Sequence, residues 1–224
     1  MKTTLIMPTL NEVESIEKAL SPLPREIIDE ILVVDGYSTD GTVELVKKLG
    51  YNLIFQGKDP KGVGAKGFGL AISAGINQVK GDVIVIMSAD CSQNVNDIFL
   101  LLEKIKEGYD LVLASRYLPG GGSEDDTTLH RWGNKFFTFL CNKLHNTGIT
   151  DSLYFFLAVK KEVFDKIKLE NPNAGCCVEL PIKARRAGFR IAEIPSFEKK
   201  RRAGKGKLNA LVDGLKILFE ILKF

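Results

Sequence analysis

Val83-Ile84-Val85-Ile86-Met87-Ser88-Ala89-Asp90-Cys91-Ser92 decides the fold. Five apolar residues, four of them β-branched, end abruptly in polar ones. A short apolar run without polar alternation reads as a strand covered on both faces, as in a parallel sheet between layers of helices. Asp90 falls just after it. In open α/β sheets, ligands bind outside the carboxyl ends of the strands.

The flanking pattern agrees. Leu5-Ile6-Met7 reads as a strand ending at Pro8, and Asn11 with Glu14 reads as a capped helix start, the helix running to about residue 20. Strands are expected at 31–34, ending in Asp35, at 52–55 and at 111–114. Between them fall helices over 43–49, from a Gly/Lys loop at 62–67 to about 78, and over 95–105. Alternation on this scale predicts an α/β domain with a mostly parallel central sheet and helices on both faces.

After Arg116 the rhythm changes. Pro119-Gly120-Gly121-Gly122-Ser123-Glu124-Asp125-Asp126 reads as a flexible polar lid. Helices are expected over 131–145, 162–167 and 178–187, the last closed by Gly188, and strands over 153–160 and 190–194. No repeat or linker breaks the chain before about residue 207. From 208 to 224 the polar residues Asn209, Asp213, Lys216, Glu220 and Lys223 are spaced four, three, four and three apart, one narrow stripe on an otherwise apolar helix. Such a helix packs on its own domain, pairs with another subunit, or lies in a membrane interface.

Composition narrows the class. The 224 residues are 45% hydrophobic and 26% charged, ordinary for a globular protein. No apolar run approaches the ~20 residues needed to span a bilayer, and no signal-peptide pattern opens the chain. Cys91, Cys141, Cys176 and Cys177 lack metal-site spacing and read as buried free thiols in a reducing cytoplasm. The net charge of +3 conceals a segment, 183–207, with ten basic residues against two acidic ones. Its +8 leaves −5 for the rest. A block of that kind attracts phosphates. Nucleic acid is not the expected partner, because no recognition helix or aromatic stacking platform accompanies the charges.

Pro8-Thr9-Leu10-Asn11-Glu12, Asp35 and Asp90 all sit at strand ends, which converge at one sheet edge. One carboxylate there suits a base or ribose hydroxyl. Another suits a divalent metal on a diphosphate, since such ions prefer hard oxygen ligands. Gly64-Ala65-Lys66-Gly67 at a helix start offers backbone amides and an ammonium.

These stretches, with Val33-Val34-Asp35-Gly36-Tyr37-Ser38-Thr39-Asp40-Gly41-Thr42, resemble family 2 glycosyltransferases. Ser88-Ala89-Asp90 falls where that family carries Asp-x-Asp. The second half is similar to polyprenyl- or dolichyl-phosphate mannosyl- and glucosyltransferases. The matching pieces are Ala114-Ser115-Arg116-Tyr117, Arg131 with Gly133-Asn134, Asp151, Glu179 and the 201–207 run. The resemblance implies a GT-A fold. It also implies inverting transfer of a hexose from a UDP- or GDP-sugar to a lipid phosphate, with Mg²⁺ or Mn²⁺. Pro8, Thr9, Glu12, Asp35, Lys66 and Ser88 would hold the nucleotide. Asp90 would bind the metal, Arg116 and Arg131 the acceptor phosphate, and Arg202 and Lys207 the diphosphate. The catalytic unit would span 1–207, its nucleotide half about 1–116 and its acceptor half about 117–207. Peripheral contact with the cytoplasmic membrane face through the basic segment and the terminal helix is part of this expectation.

One departure supports the phosphate acceptor and another keeps alternatives open. Cys176-Cys177 stands where members using a hydroxyl acceptor usually place an acidic pair as general base, and a phosphate, already anionic, needs none. Ser88 replaces the first metal-motif acid, leaving Asp90 nearly alone. A glycan-hydroxyl acceptor and a catalytically silent nucleotide-sugar binder remain as second readings.

Overall fold

A computed structural model describes residues 1–57, 67–201 and 210–224. Its strands are β1 (Thr3–Thr9), β2 (Glu30–Asp35), β3 (Asn52–Phe55), β4 (Val83–Ile86), β5 (Leu111–Ser115), β6 (Gly122–Ser123), β7 (Leu157–Lys160), β8 (Ile191–Pro195) and β9 (Phe197–Glu198). Its helices are α1 (Ile16–Leu20), α2 (Thr42–Lys48), α3 (Phe68–Ile76), α4 (Asp97–Lys106), α5 (Thr128–His145), α6 (Lys161–Lys166), α7 (Cys176–Arg186) and α8 (Ala210–Lys223). Seven strands form one sheet in the order β3-β2-β1-β4-β7-β5-β8, and β6 pairs with β9 beside it. All pairings are parallel except those of β7, which runs antiparallel between β4 and β5.

β4 shows why its run does not alternate. Val83 and Val85 enter one core with residues of α1 and α4, while Ile84 and Ile86 enter the other with residues of α3 and α7. Successive side chains of a strand point to opposite faces, so a strand between two cores is apolar throughout. Burying each of these side chains is worth about 1.5–3 kcal/mol. β1 lies between β2 and β4, so the chain winds outward in both directions from the β1–β4 pair. A crevice opens at such a reversal point.

Three expectations need correction. The first helix starts at Ile16, not Asn11. Asn11 has φ 55°, and its Oδ1 accepts from Thr39 N, so its side chain ties two turns together instead of capping. The 119–126 stretch is not a free lid. β6 pairs with β9, and Glu124 N donates to Glu198 O at 2.9 Å. The strand expected at 153–160 is only β7, because pairing with β4 begins at Leu157 opposite Ile86. The last helix spends both faces. Ile217 and Ile221 pack on Cys141 of α5 and on Val178 and Ile182 of α7, while Val212, Leu215, Phe219 and Leu222 stay exposed. None of the described helices is long and apolar enough to cross a membrane.

The start of α3 presses on the loop before α7. Leu70 N donates to Pro172 O at 3.2 Å, and a β-carbon on Gly69 would overlap the Asn171 carbonyl oxygen. Gly69→Ala is therefore expected to cost about 1–3 kcal/mol by forcing the two segments apart. Denaturant unfolding measures it, and an unchanged midpoint would mean that the loop yields freely.

Candidate active site

The crevice is a cavity of about 520 Å³, within the range of small-ligand sites. Pro8 and Thr9 enter it at the end of β1, Leu10 and Glu12 just after it, Gly36 after β2, Gln56 after β3, and Ser88, Ala89 and Asp90 after β4. Apolar side chains line it as well, among them Phe68, Leu153, Phe155, Cys177 and Ile217. Glu198, Arg201 and Asp213 line it too.

Asp90 is held in a fixed pose. Its Oδ1 accepts from Ser88 Oγ at 3.0 Å, Ser92 N at 3.0 Å and Ser92 Oγ at 2.8 Å. Ser88 N donates to Gln93 Oε1 at 2.8 Å, which brings a second side-chain oxygen to the turn. Oδ2 faces the Arg201 guanidinium, whose Nε is 3.6 Å away and also 3.1 Å from Asp125 Oδ2. The position beside Oδ2 thus already takes a cation. The donors around it are hard oxygens, which suits Mg²⁺ or Mn²⁺. Among the described residues no group of three His, Cys, Asp or Glu could hold a metal unaided. An ion here would need the diphosphate and water to complete its shell, as Mg²⁺ sites with one or two carboxylates do.

Asp35 lies beneath the cavity, fully buried and not on its surface. It accepts from Thr9 Oγ1 at 3.1 Å and from Ser38 N and Oγ at 2.8 and 2.6 Å, fixing the two turns that carry Thr9 and Gly36. Glu12 keeps a carboxylate in the wall, and its Oε2 accepts from Ser15 Oγ at 2.9 Å.

Arg116 does not reach the cavity surface. Asp151 takes it bidentately, at 2.7 and 3.0 Å, and Glu198 Oε2 takes its Nη1 at 3.0 Å. Asn134 Nδ2 also donates to Asp151, at 2.5 Å. The guanidinium stacks 4.8 Å from the Tyr154 ring. Burial opposes its charge, but the Asp151 and Glu198 carboxylates outweigh burial and raise its pKa further. Burial and a hydrogen bond to Asp126 push the Tyr117 phenol to about 12, so it stays protonated. Arg131 is exposed, 3.5 Å from Asp126, and does not line the cavity. Lys66, Arg202 and Lys207 lie outside the described residues.

Gln56, Gln93, Tyr154, Glu198, Arg201 and Asp213 line the cavity unforeseen. Gln56 was within reach, since it directly follows the third strand at the same sheet edge. Gln93 was also within reach, three residues after Asp90, and Arg201 opens the 201–207 run; Tyr154, Glu198 and Asp213 come from the second half and α8 and have no local signal.

The strand-end polar groups and the fixed Asp90 carboxylate thus share one cavity at the carboxyl edge of an α/β sheet. The chain belongs to the family described as Glycosyl transferase family 2, which matches residues 4–168. It is 31% identical over 224 residues to the dolichyl-phosphate hexose transferase of Haloferax volcanii, covering 98% of this chain and 92% of that one. It is 30% identical over 230 residues to the dolichol-phosphate mannosyltransferase of Pyrococcus furiosus, covering 100% of this chain and 62% of that one. Among solved structures it is similar to glucosyl-3-phosphoglycerate synthase from Mycobacterium tuberculosis with Mn²⁺, uridine diphosphate and glucosyl-3-phosphoglycerate. There the TM-score is 0.76 at 20% identity, over 99% of this chain and 79% of that one. The GT-A fold and the enzyme class expected from sequence are borne out.

Arg116→Met leaves two buried carboxylates without their cation, which is expected to cost about 3–5 kcal/mol. Unpaired, they hold protons more tightly when folded than when unfolded, so they oppose folding once pH rises through the carboxylate range. The loss should be larger at pH 8 than at pH 5 by denaturant unfolding. A pH-independent loss would mean that solvent already screens the pair.

Proposed function

We propose that this glycosyltransferase moves a hexose, with inversion, from a UDP- or GDP-sugar to a polyprenyl phosphate. The observation that carries this reading is one cavity lined by Asp90 and by the apolar side chains of Phe68, Leu153, Phe155, Cys177 and Ile217. A charged head and a hydrocarbon chain can share a cavity lined by both kinds of group. The names of the two archaeal relatives support the same acceptor class.

In this reading the anionic acceptor oxygen attacks the anomeric carbon while the bond to the nucleoside diphosphate breaks on the opposite face. No general base is required, and Cys176 suits that, because burial raises its thiol well above the usual range. A divalent ion at Asp90 supplies charge neutralisation on the diphosphate. Ser88, Ser92 and Gln93 keep that carboxylate aimed, and Thr9, Glu12, Gly36 and Gln56 surround the nucleoside. Arg201 is placed to turn from Asp90 to the departing phosphates. Lys66, Arg202 and Lys207 keep the roles that the resemblance gave them. Arg116 is assigned to framing the acceptor half, about 117–207, against the nucleotide half, about 1–116, and Arg131 keeps the acceptor-phosphate role that the resemblance gave it. α8 supplies the last wall, and the working place is a cytoplasmic membrane face.

One observation favours the second reading. Asp213 of α8 lines the same cavity, with its Oδ1 3.2 Å from Lys216 Nζ. A carboxylate there could serve as base for a glycan hydroxyl. Asp213→Asn separates the two. With labelled nucleotide-sugars and a short polyprenyl phosphate, the variant should keep transfer into organic-extractable lipid within about threefold of wild type, since no proton is removed. A drop of about 10²-fold or more would contradict base-free transfer, and no wild-type transfer into lipid would favour the hydroxyl reading. Asp90→Ala should stop lipid labelling in either case.

A further inference from the structure

We infer that Asn171 is a positioning residue for the transfer, fixing α8 against the start of α3 at the shared cavity. This deepens the proposed function and rests on it for the substrates that the two helices meet. Gly67, Phe68 and Ala71 line the cavity from the start of α3, and Asp213 and Ile217 line it from α8. The loop 168–175, which leads into α7, touches both helices and adds Asn173 and Ala174 to the lining.

α7 holds that loop in place. The Glu179 carboxylate is fully buried and accepts from Glu170 N at 2.8 Å and from Asn171 N at 2.9 Å. Lys183 Nζ lies 2.7 Å from the same carboxylate and donates to Lys168 O at 2.7 Å. Charge-assisted bonds of this kind, with the carboxylate out of water, hold backbone firmly. The loop meets α3 through its backbone. Leu70 N donates to Pro172 O, and a β-carbon on Gly67 would overlap that same oxygen. It meets α8 through a buried side-chain bond. Asn171 Nδ2 donates to Glu220 Oε2 at 2.6 Å, and Glu220 is 5% exposed. Asn171 Oδ1 accepts from Asn173 N at 2.9 Å, so both ends of the carboxamide are fixed.

The other contacts of α8 leave its register loose. Ile217 and Ile221 pack among Cys141, Val178 and Ile182, and apolar burial has no direction. His145 Nε2 lies 2.8 Å from Ile221 O, which ties the helix end to α5 and not to α3. The pair of Glu170 with Lys223, at 3.3 Å, is exposed and worth little. The bond from Asn171 to Glu220 is therefore the directional tie between α8 and the loop that touches α3. Ile217 and Asp213 lie about one and two turns before Glu220 on the same stripe, so a shift at Glu220 moves both within the cavity. Misplacement by about 1 Å is enough to slow a positioned reaction by about 10²-fold.

Asn171→Asp turns the donor into an oxygen that faces the Glu220 carboxylate. With a short polyprenyl phosphate, its kcat/KM for the acceptor should fall about tenfold or more, while UDP or GDP with Mn²⁺ binds within about twofold of wild type by calorimetry. Asn171→Ala removes the bond without adding a charge. It should show the same loss, and it serves where the aspartate variant does not fold. Asn171→Asp combined with Glu220→Gln exchanges donor and acceptor across the joint and should recover most of the loss. A merely structural role would lower the melting temperature and leave kcat/KM per folded molecule unchanged. Wild-type kcat/KM in Asn171→Ala overturns the inference. So does a loss that the exchanged pair does not recover, or a parallel fall in nucleotide affinity. Absence of transfer to any polyprenyl phosphate by the wild type would refute the proposed function instead. Hydrogen exchange then decides the joint, since α8 amides should exchange faster in Asn171→Ala and return toward the wild-type rate in the exchanged pair. Unchanged exchange in Asn171→Ala would overturn it.

Discussion

A strand buried on both faces cannot carry a polar side chain without a partner, and β4 obeys that constraint. Everything polar in its neighbourhood is postponed to the turn after Met87. There Ser88, Asp90, Ser92 and Gln93 bond to one another over a few residues. Because β1 lies beside β4 and the chain winds away on both sides, the turns after β1, β2 and β3 reach the same crevice. The site is thus a consequence of sheet order. The cores hold the strands, and the strands deliver the groups.

The second half is held on by a charge cluster. Arg116 follows β5, Asp151 and Tyr154 precede β7, Asn134 belongs to α5, and Glu198 ends β9. Removing any one partner would leave another charge or amide buried and unpaired, which is costly in a low-dielectric surrounding. The cluster also explains why the 119–126 stretch is ordered despite its glycines. Ser123 Oγ donates to Glu198 Oε2 at 2.6 Å, the same oxygen that Arg116 takes.

Much of the fold was legible because strand burial leaves a local trace. The third strand, 52–55, and the carboxylate ending the second were read at their places. Asn11 misled because a capping residue type can serve a left-handed turn equally well. Arg116 misled for a related reason, since sequence gives a cation but not the acids that reach it from 35 and 82 residues away. The apolar tail left three fates open, and α8 packs one face on its own domain while the other stays exposed. Spacing could show that a polar stripe was narrow, but not how much apolar surface the neighbours would cover.

The central claim is that Asp90 presents the protein's carboxylate to a metal-bound nucleoside diphosphate. The most direct measurement is calorimetric titration of UDP and GDP into the protein, with and without Mn²⁺, beside Asp90→Asn. One nucleotide should bind, with affinity raised by about tenfold or more when Mn²⁺ is present, and the substitution should remove that gain while sparing metal-free binding. An undiminished gain in Asp90→Asn, or no binding of either nucleotide, would contradict the account.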